Sequence, residues 1–308
     1  MVRYTGDADF ERRLGNHLAG YEAAGAFVQA EGYPAGYVRD GFGVIWNRSG
    51  ADKDIGVIVG AVIPDLEALD YTLPPVDEPG IRAGVERMLA EAEDRFTVAG
   101  IGFSLFERAW TLCTMPELLM AMVAAPEAVE ELLDRICDYN LKILDILCDY
   151  PVDCIRFGDD WGQQKGLIMG PAHWRRFLKP RLKRMYGRVK AAGKFVMQHS
   201  CGDIREVLDD VIEIGLDCYE TFQPEIYGYE AFAASYGDRL SIYGGVSTQQ
   251  CLPCCTPDEV RRQTAALLRT VGRNGGLIAG PTHAIPGDVP CENVLAMYEV
   301  LRHQDKYV

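Results

Sequence analysis

His199 and Cys201 stand two residues apart where a short apolar run gives way to a helical pattern. Phe195, Val196 and Met197 make residues 194–198 a buried strand by pattern. Two residues apart on extended chain, the histidine and cysteine side chains point the same way and can share one metal ion. A helix is expected at once over residues 203–214. There Val207, Leu208, Val211, Ile212 and Ile214 recur at three-to-four spacing, and Glu206, Asp209, Asp210 and Glu213 take the other face. Asp203 is its natural N-cap, with Glu206 as capping-box partner. The plain alternative is a capped turn holding a buried cysteine. Position favours chemistry, because the strand-to-helix edge of a parallel α/β fold is where ligands bind. Backbone N–H groups at a helix start also stabilise a thiolate.

Chemistry at that edge needs parallel strands to present it, and the sequence supplies them from Phe96 onward. Strands are expected at residues 97–103, 154–158, 194–198, 217–222, 240–245 and 276–280. Between them fall helical stretches at 106–124 (broken near Pro116), after Pro126, at 171–192, 203–214, 229–236, 257–271 and 292–302. Six strands alternating with helices predict a parallel sheet. Two more strands from the first ~95 residues would close a (β/α)8 TIM barrel, whose usual size is ~250 residues; an open doubly wound sheet is the alternative. Residues 1–95 read as an N-terminal extension or lid carrying the first barrel elements, and 96–308 as the barrel body, in one structural domain. Within the extension a helix is expected over 12–29, a hairpin over 36–46, a strand over 57–63 and a helix over 81–95, after a proline-rich connector.

The ends of these strands carry the polar residues. One runs into Asp159, Asp160, Trp161, Gly162 and Gln163, another into Glu220, Phe222 and Gln223. A third ends in Gly244 and Gly245, and the last leads to His283 and Asp288. In a barrel all would meet at the carboxyl-terminal mouth. Singly, each has a structural reading: Asp159 and Asp160 can cap a helix, Glu220 can face solvent, and His283 can be an ordinary loop histidine. Cys251 and Cys254 form a C-x-x-C without the second pair of a zinc knuckle or a thioredoxin-like context. The basic run from Arg175 to Arg188 reads as a solvated helix face, with docking of an acidic partner protein as the alternative. Phosphate-loop, serine-hydrolase and dinucleotide motifs are absent from the sequence.

Composition narrows the class. The chain has 308 residues, 48% of them apolar and 25% charged, which is ordinary for a globular protein with a sizeable core. A net charge of −14 argues against nucleic-acid binding and against a strongly polyanionic substrate. No apolar run approaches the ~20 residues of a membrane span, and the first residues lack a secretory pattern. The ten cysteines read as reduced thiols, and the cytoplasm is the expected location.

The strand-end motifs together resemble the uroporphyrinogen decarboxylase superfamily over residues 96–302. They are F-G-D-D-W-G-Q-Q, L-K-P-R-L-K-R, H-S-C-G-D-I, F-Q-P-E, Y-G-G-V-S-T-Q and H-A-I-P-G-D-V-P followed by E-N-V-L-A-M. The resemblance implies a (β/α)8 barrel with a shortened N-terminal region. Two branches are relevant. The decarboxylases carry an arginine-rich R-Q-A-G-R-Y-type segment that this chain lacks. The zinc-dependent methylcobamide:coenzyme M methyltransferases hold zinc with His-x-Cys and a later cysteine. His199 and Cys201 match the first two of those ligands, while His283 stands at the third; Cys291 lies eight residues on. Glu220 is the fourth ligand by analogy with related zinc sites. This resemblance implies a zinc-dependent methyltransferase acting between a corrinoid, free or on a corrinoid protein, and a small-molecule thiol acceptor. Asp159, Asp160 and Gln223 would then position donor or acceptor, and Trp161, Gln163, Phe222, Gly244 and Gly245 would line the substrate site. A homodimer is admitted. The second reading is decarboxylation, with Asp159 on a protonated pyrrole and His283 on a carboxylate. The third is a non-catalytic corrinoid- or tetrapyrrole-binding barrel.

Overall fold

Parallel pairing, not local propensity, decides the start of the chain. A computed structural model describes residues 14–50 and 56–307. The helix expected over 12–29 is not formed, and Arg12 and Arg13 lie outside the described residues. Its place is taken by β1 (Leu18–Glu22) and β2 (Val28–Gln29). Each residue of β1 pairs in parallel with the strand beginning at Phe96, from Leu18 opposite Phe96 to Glu22 opposite Gly100. A ladder five residues long outweighs the helical preference of an alanine-rich segment already interrupted by glycines. The hairpin follows as β3 (Tyr37–Arg39) and β4 (Ile45–Asn47). With β2 and β5 (Val57–Ile58) it forms a small antiparallel sheet in the order β2-β3-β4-β5.

From α1 (Glu78–Ala92) the chain alternates. It continues with β6 (Phe96–Ile101), α2 (Phe106–Cys113), α3 (Met115–Ala124), α4 (Pro126–Cys148) and β7 (Cys154–Gly158), then a small hairpin of β8 (Gly162–Gln163) and β9 (Gly166–Leu167). Next come α5 (Gly170–His173), a π-turn (Trp174–Leu178), α6 (Lys179–Ala191), β10 (Phe195–His199), a 3₁₀ turn (Arg205–Val207) and α7 (Leu208–Glu213). The chain ends with β11 (Cys218–Phe222), α8 (Pro224–Tyr227), α9 (Tyr229–Tyr236), β12 (Ser241–Val246), α10 (Cys251–Cys254), α11 (Pro257–Thr270), β13 (Leu277–Pro281) and α12 (Cys291–Arg302).

Among the described residues, seven parallel strands make one curled sheet in the order β1-β6-β7-β10-β11-β12-β13. Strands that neighbour one another in chain order wind in one direction, as in a TIM barrel. A doubly wound sheet would reverse its order partway. The extension supplies one strand to this sheet, where closure of eight needs two. Val98, Cys154, Met197 and Cys218 pack as a separate inner cluster on the concave face. The larger core lies between the sheet and the helices, and includes Phe157, Trp174, Tyr186 and Leu208.

Two expected helices are built differently. The stretch at 171–192 contains the π-turn, whose Trp174, Phe177 and Leu178 are buried. The expected capping box at Asp203 is not formed. Asp203 accepts instead from the Arg205 N–H at 3.0 Å and pairs with the Arg205 guanidinium at 2.6 Å, so a 3₁₀ turn precedes α7.

Helix α2 has no cap from its own N-cap residue, Leu105. The cap comes from the loop after β7. Asp159, with no exposed surface, accepts from the N–H groups of Leu105 at 3.3 Å, Phe106 at 3.0 Å and Glu107 at 2.7 Å, and from the Trp161 indole at 2.6 Å. Asp159, expected at the mouth, is instead fully buried with four donors on its carboxylate. Burial pushes its pKa up to about 6 despite those donors. Replacing Asp159 with alanine strands the donors in a buried helix start. We expect a loss of about 3 kcal/mol, read as a lowered urea midpoint at unchanged m-value. An unmoved midpoint would contradict the capping role.

Candidate metal centre

β10 sits between β7 and β11, and the registers place Gly158, His199 and Glu220 side by side on the concave face. A Cβ at Gly158 would stand 3.3 Å from the Gly102 Cα, so glycine there lets β7 pack closely on the turn after β6. His199 Nε2 lies 3.7 Å from Cys201 Sγ. His283 follows β13 in an exposed bend, its ring centroid 5.7 Å from that of His199. One ligand atom from each of His199, Cys201 and His283 falls within 4.8 Å of the other two. Cys291, at the start of α12, is outside this group, as are buried Cys251 and exposed Cys254.

The loop carrying Cys201 is held by backbone contacts. Asp160 Oδ1 accepts from the Cys201 N–H at 2.8 Å, and Gln223 Oε1 accepts from the Gly202 N–H at 2.7 Å. Ser200 Oγ accepts from the Trp161 N–H at 2.9 Å. The Asp203 N–H donates to the Gln163 carbonyl at 2.8 Å. Gly202 has φ +78°, and a Cβ there would stand 2.4 Å from the Gly162 carbonyl carbon. Only glycine fits such an approach at such a dihedral.

Several expected site residues belong to the frame instead. Gln223 is buried and spends its carboxamide on the loop. Trp161 is fully buried, bonded to Asp159 and set edge-on to Trp174 at 5.4 Å. Phe222 is buried against Tyr227 and Phe232. Gly244 and Gly245 adopt positive φ where a Cβ would crowd Phe222 and Leu267 respectively. Of the five expected substrate contacts only Gln163 is exposed. Position at a strand end is legible in a sequence; whether the side chain turns to the mouth or to the helical layer is not.

Glu220 lies behind the histidine. Its carboxylate takes two bonds from Arg156, one through Nε and one through Nη2 at 3.1 Å, and stands 3.3 Å from His199 Nδ1. That nitrogen is buried, and the Glu220 carboxylate is the polar group facing it. Glu220 thus faces the imidazole nitrogen opposite to the one beside Cys201. Burial alone would raise the Glu220 pKa, but His199 and Arg156 outweigh it and hold it at about 2. Arg156 is also paired with Glu22 of β1 at 2.8 Å. On the other side, burial and the Asp160 carboxylate push the Cys201 thiol up to about 12. Glu107, at the start of α2, is raised well above the usual carboxylate range by burial and by the charges of Asp160 and Asp159. Sequence reasoning missed Arg156, Glu22 and Glu107. The one available signal was a lone arginine inside the apolar run Cys154-Ile-Arg-Phe-Gly158.

Comparisons with known proteins agree with this architecture. The chain is 23% identical to a uroporphyrinogen decarboxylase of Saccharophagus degradans over 239 residues, covering 73% of this chain and 64% of that protein. It is 27% identical to one of Syntrophotalea carbinolica over 140 residues, covering 42% of this chain and 38% of that protein. The chain thus spans less than two-thirds of the length of either relative. Among solved structures, a methyltransferase from Methanosarcina mazei superposes with a TM-score of 0.66 at 20% identity, covering 87% of this chain and 77% of that one. The family model for uroporphyrinogen decarboxylase (URO-D) matches residues 55–304, well over half of the chain. With a barrel-type sheet and its polar residues gathered at the strand ends, the chain belongs to the uroporphyrinogen decarboxylase family.

Proposed function

We propose that this chain is a zinc-dependent methyltransferase within that family, moving a methyl group between a corrinoid and a thiol acceptor. The observation that carries the reading is the convergence of His199, Cys201 and His283 at the strand ends. A tetrahedral zinc ion holds a sulfur and a nitrogen ligand about 3.6 Å apart, from bond lengths of about 2.3 and 2.05 Å. His199 Nε2 and Cys201 Sγ are 3.7 Å apart. The donor set suits zinc, being soft sulfur with imidazole. Acidic surroundings suit a cation as well: Asp160 and Glu107 flank the thiol and raise its pKa. The superposable M. mazei protein is named a methyltransferase, which fits the reading at the level of fold.

His199 would present Nε2 with its ring oriented by Glu220, and Cys201 would present a thiolate on a loop fixed by Asp160 and Gln223. His283, exposed in its bend, would close the site from the last strand. Zinc bound there would hold an acceptor thiol as thiolate near neutral pH while leaving it nucleophilic. The acidic lining is a poor field for a substrate bearing many carboxylates, which weighs against porphyrinogen decarboxylation. Two ligands from one short loop and a third from another strand make an open site, one that a folded barrel does not need for stability.

Three outcomes are expected. Purified protein should contain about one zinc per chain by elemental analysis, and Cys201→Ser should lose it while keeping its circular dichroism; full occupancy in Cys201→Ser would remove Cys201 from the site. His283→Cys should retain zinc against a graded chelator and His283→Ala should release it at least about tenfold more readily, whereas unchanged retention in His283→Ala would reduce His283 to a substrate contact. Methylcobalamin with a thiol panel should give methyl thioether, and uroporphyrinogen should be returned unchanged. Coproporphyrinogen in the product would reverse the choice between the two branches.

A further inference from the structure

Two carboxylates flank His199, and they face opposite nitrogens. Glu220 stands 3.3 Å from Nδ1, and its side chain is 13% exposed. Asp160 stands 3.5 Å from Nε2, and its side chain is 37% exposed. Nε2 is also the nitrogen that faces Cys201. A tetrahedral ion with a metal–oxygen bond of about 2.1 Å and a metal–nitrogen bond of about 2.05 Å spaces those two ligands about 3.4 Å apart. The Asp160 separation is within a tenth or so of that figure.

Resting on the zinc reading above, we infer that Asp160, not Glu220, is the fourth ligand of the site, and that it is the exchangeable one. Asp160 Oδ1 lies 3.5 Å from Nε2 of His199 and is tethered to the Cys201 loop by the backbone N–H of Cys201 at 2.8 Å, so a side-chain rotation, not a loop movement, would bring it into the cluster of His199, Cys201 and His283. One anchor of that kind aims the carboxylate without using it up. Asp159 beside it shows the contrast, with four donors on its two oxygens. Glu220 is spent likewise, on Arg156 and on the far side of the imidazole.

Charge argues the same way. Two imidazoles and one thiolate leave about +1 on a zinc ion, and a carboxylate brings the site to about zero. A ligand that is neutralising, half-open to solvent and held by one backbone bond is the member an incoming thiolate would replace with no change in net charge. Glu220 cannot serve so, because its departure would leave the Arg156 guanidinium in the barrel with one anion fewer.

Cobalt(II) in place of zinc gives a direct readout, since each thiolate bound to cobalt adds a charge-transfer band in the near ultraviolet. Asp160→Cys should bind cobalt with about twice the wild-type band, one cobalt–sulfur bond having become two. Asp160→Asn keeps the acceptor for the Cys201 N–H. It should change the visible cobalt spectrum and weaken zinc binding by about a hundredfold or more in chelator competition. Glu220→Gln should keep the wild-type visible spectrum even where its affinity falls, as expected for an outer partner of a ligating histidine. A wild-type band in Asp160→Cys, or a wild-type spectrum and affinity in Asp160→Asn, would overturn the Asp160 assignment and leave the zinc reading standing. Wild-type protein that binds neither cobalt nor zinc would instead overturn the zinc reading itself.

Discussion

A guanidinium inside a barrel has to be surrounded by anions, and Arg156 sets that demand here. It is met by Glu22 from β1 and Glu220 from β11, on either side of β7. The two carboxylates come from strands far apart in sequence, so the ion pairs bridge a span of five strands, from β1 to β11, through the central β7. Of the two pairs, Arg156–Glu220 is the more enclosed, and removing Glu220 would leave a partly buried guanidinium with only the exposed Glu22 beside it. The same grip that neutralises Arg156 aims Glu220 at His199 Nδ1. The orientation of the imidazole at the mouth is thereby tied to the first strand of the sheet.

That tie accounts for the largest difference between reading and fold. Residues 18–22, Leu-Ala-Gly-Tyr-Glu, look helical because alanines and apolar residues recur at helical spacing around them. They extend because a parallel partner waits at β6 and a cation waits for Glu22, and neither is visible locally. From Phe96 onward local and long-range preferences agree, and strands such as Cys154–Gly158 and helices such as Tyr229–Tyr236 fall where the periodicity puts them. At the site, His199, Cys201 and His283 were legible because their residue types are uncommon and their place at strand ends is readable. Asp159, Trp161, Phe222 and Gln223 sit at the same ends yet serve the frame, since the direction a side chain takes there depends on neighbours many residues away. Glu107 is an acid in the first turn of α2, and only the fold carries it to Asp160.

Family and site answer different questions. Membership accounts for the order of the strands and for the edge on which polar residues gather. It does not by itself say what is done there, since the relatives named as decarboxylases cover the chain at low identity. The distinguishing features are particular ones: a His-x-Cys on β10 and its loop, a histidine after β13, and an interior arginine already engaged by two glutamates.

The meeting of Gly162 and Gly202 bears on which ions such a mouth can take. Backbone touches backbone there, with no side chain between to rotate or compress. The spacing between the Asp160 segment and the Cys201 loop is therefore governed by covalent geometry. A mouth fixed in this way has little ability to widen its coordination shell. Calcium asks for six to eight oxygens in a flexible cage, and magnesium for a near-octahedral set with several waters. On the proposed zinc reading, a narrow sulfur-and-imidazole frame would discriminate against both by shape as well as by softness. Two glycines that touch no ion would then act as a filter on the ions that can be held.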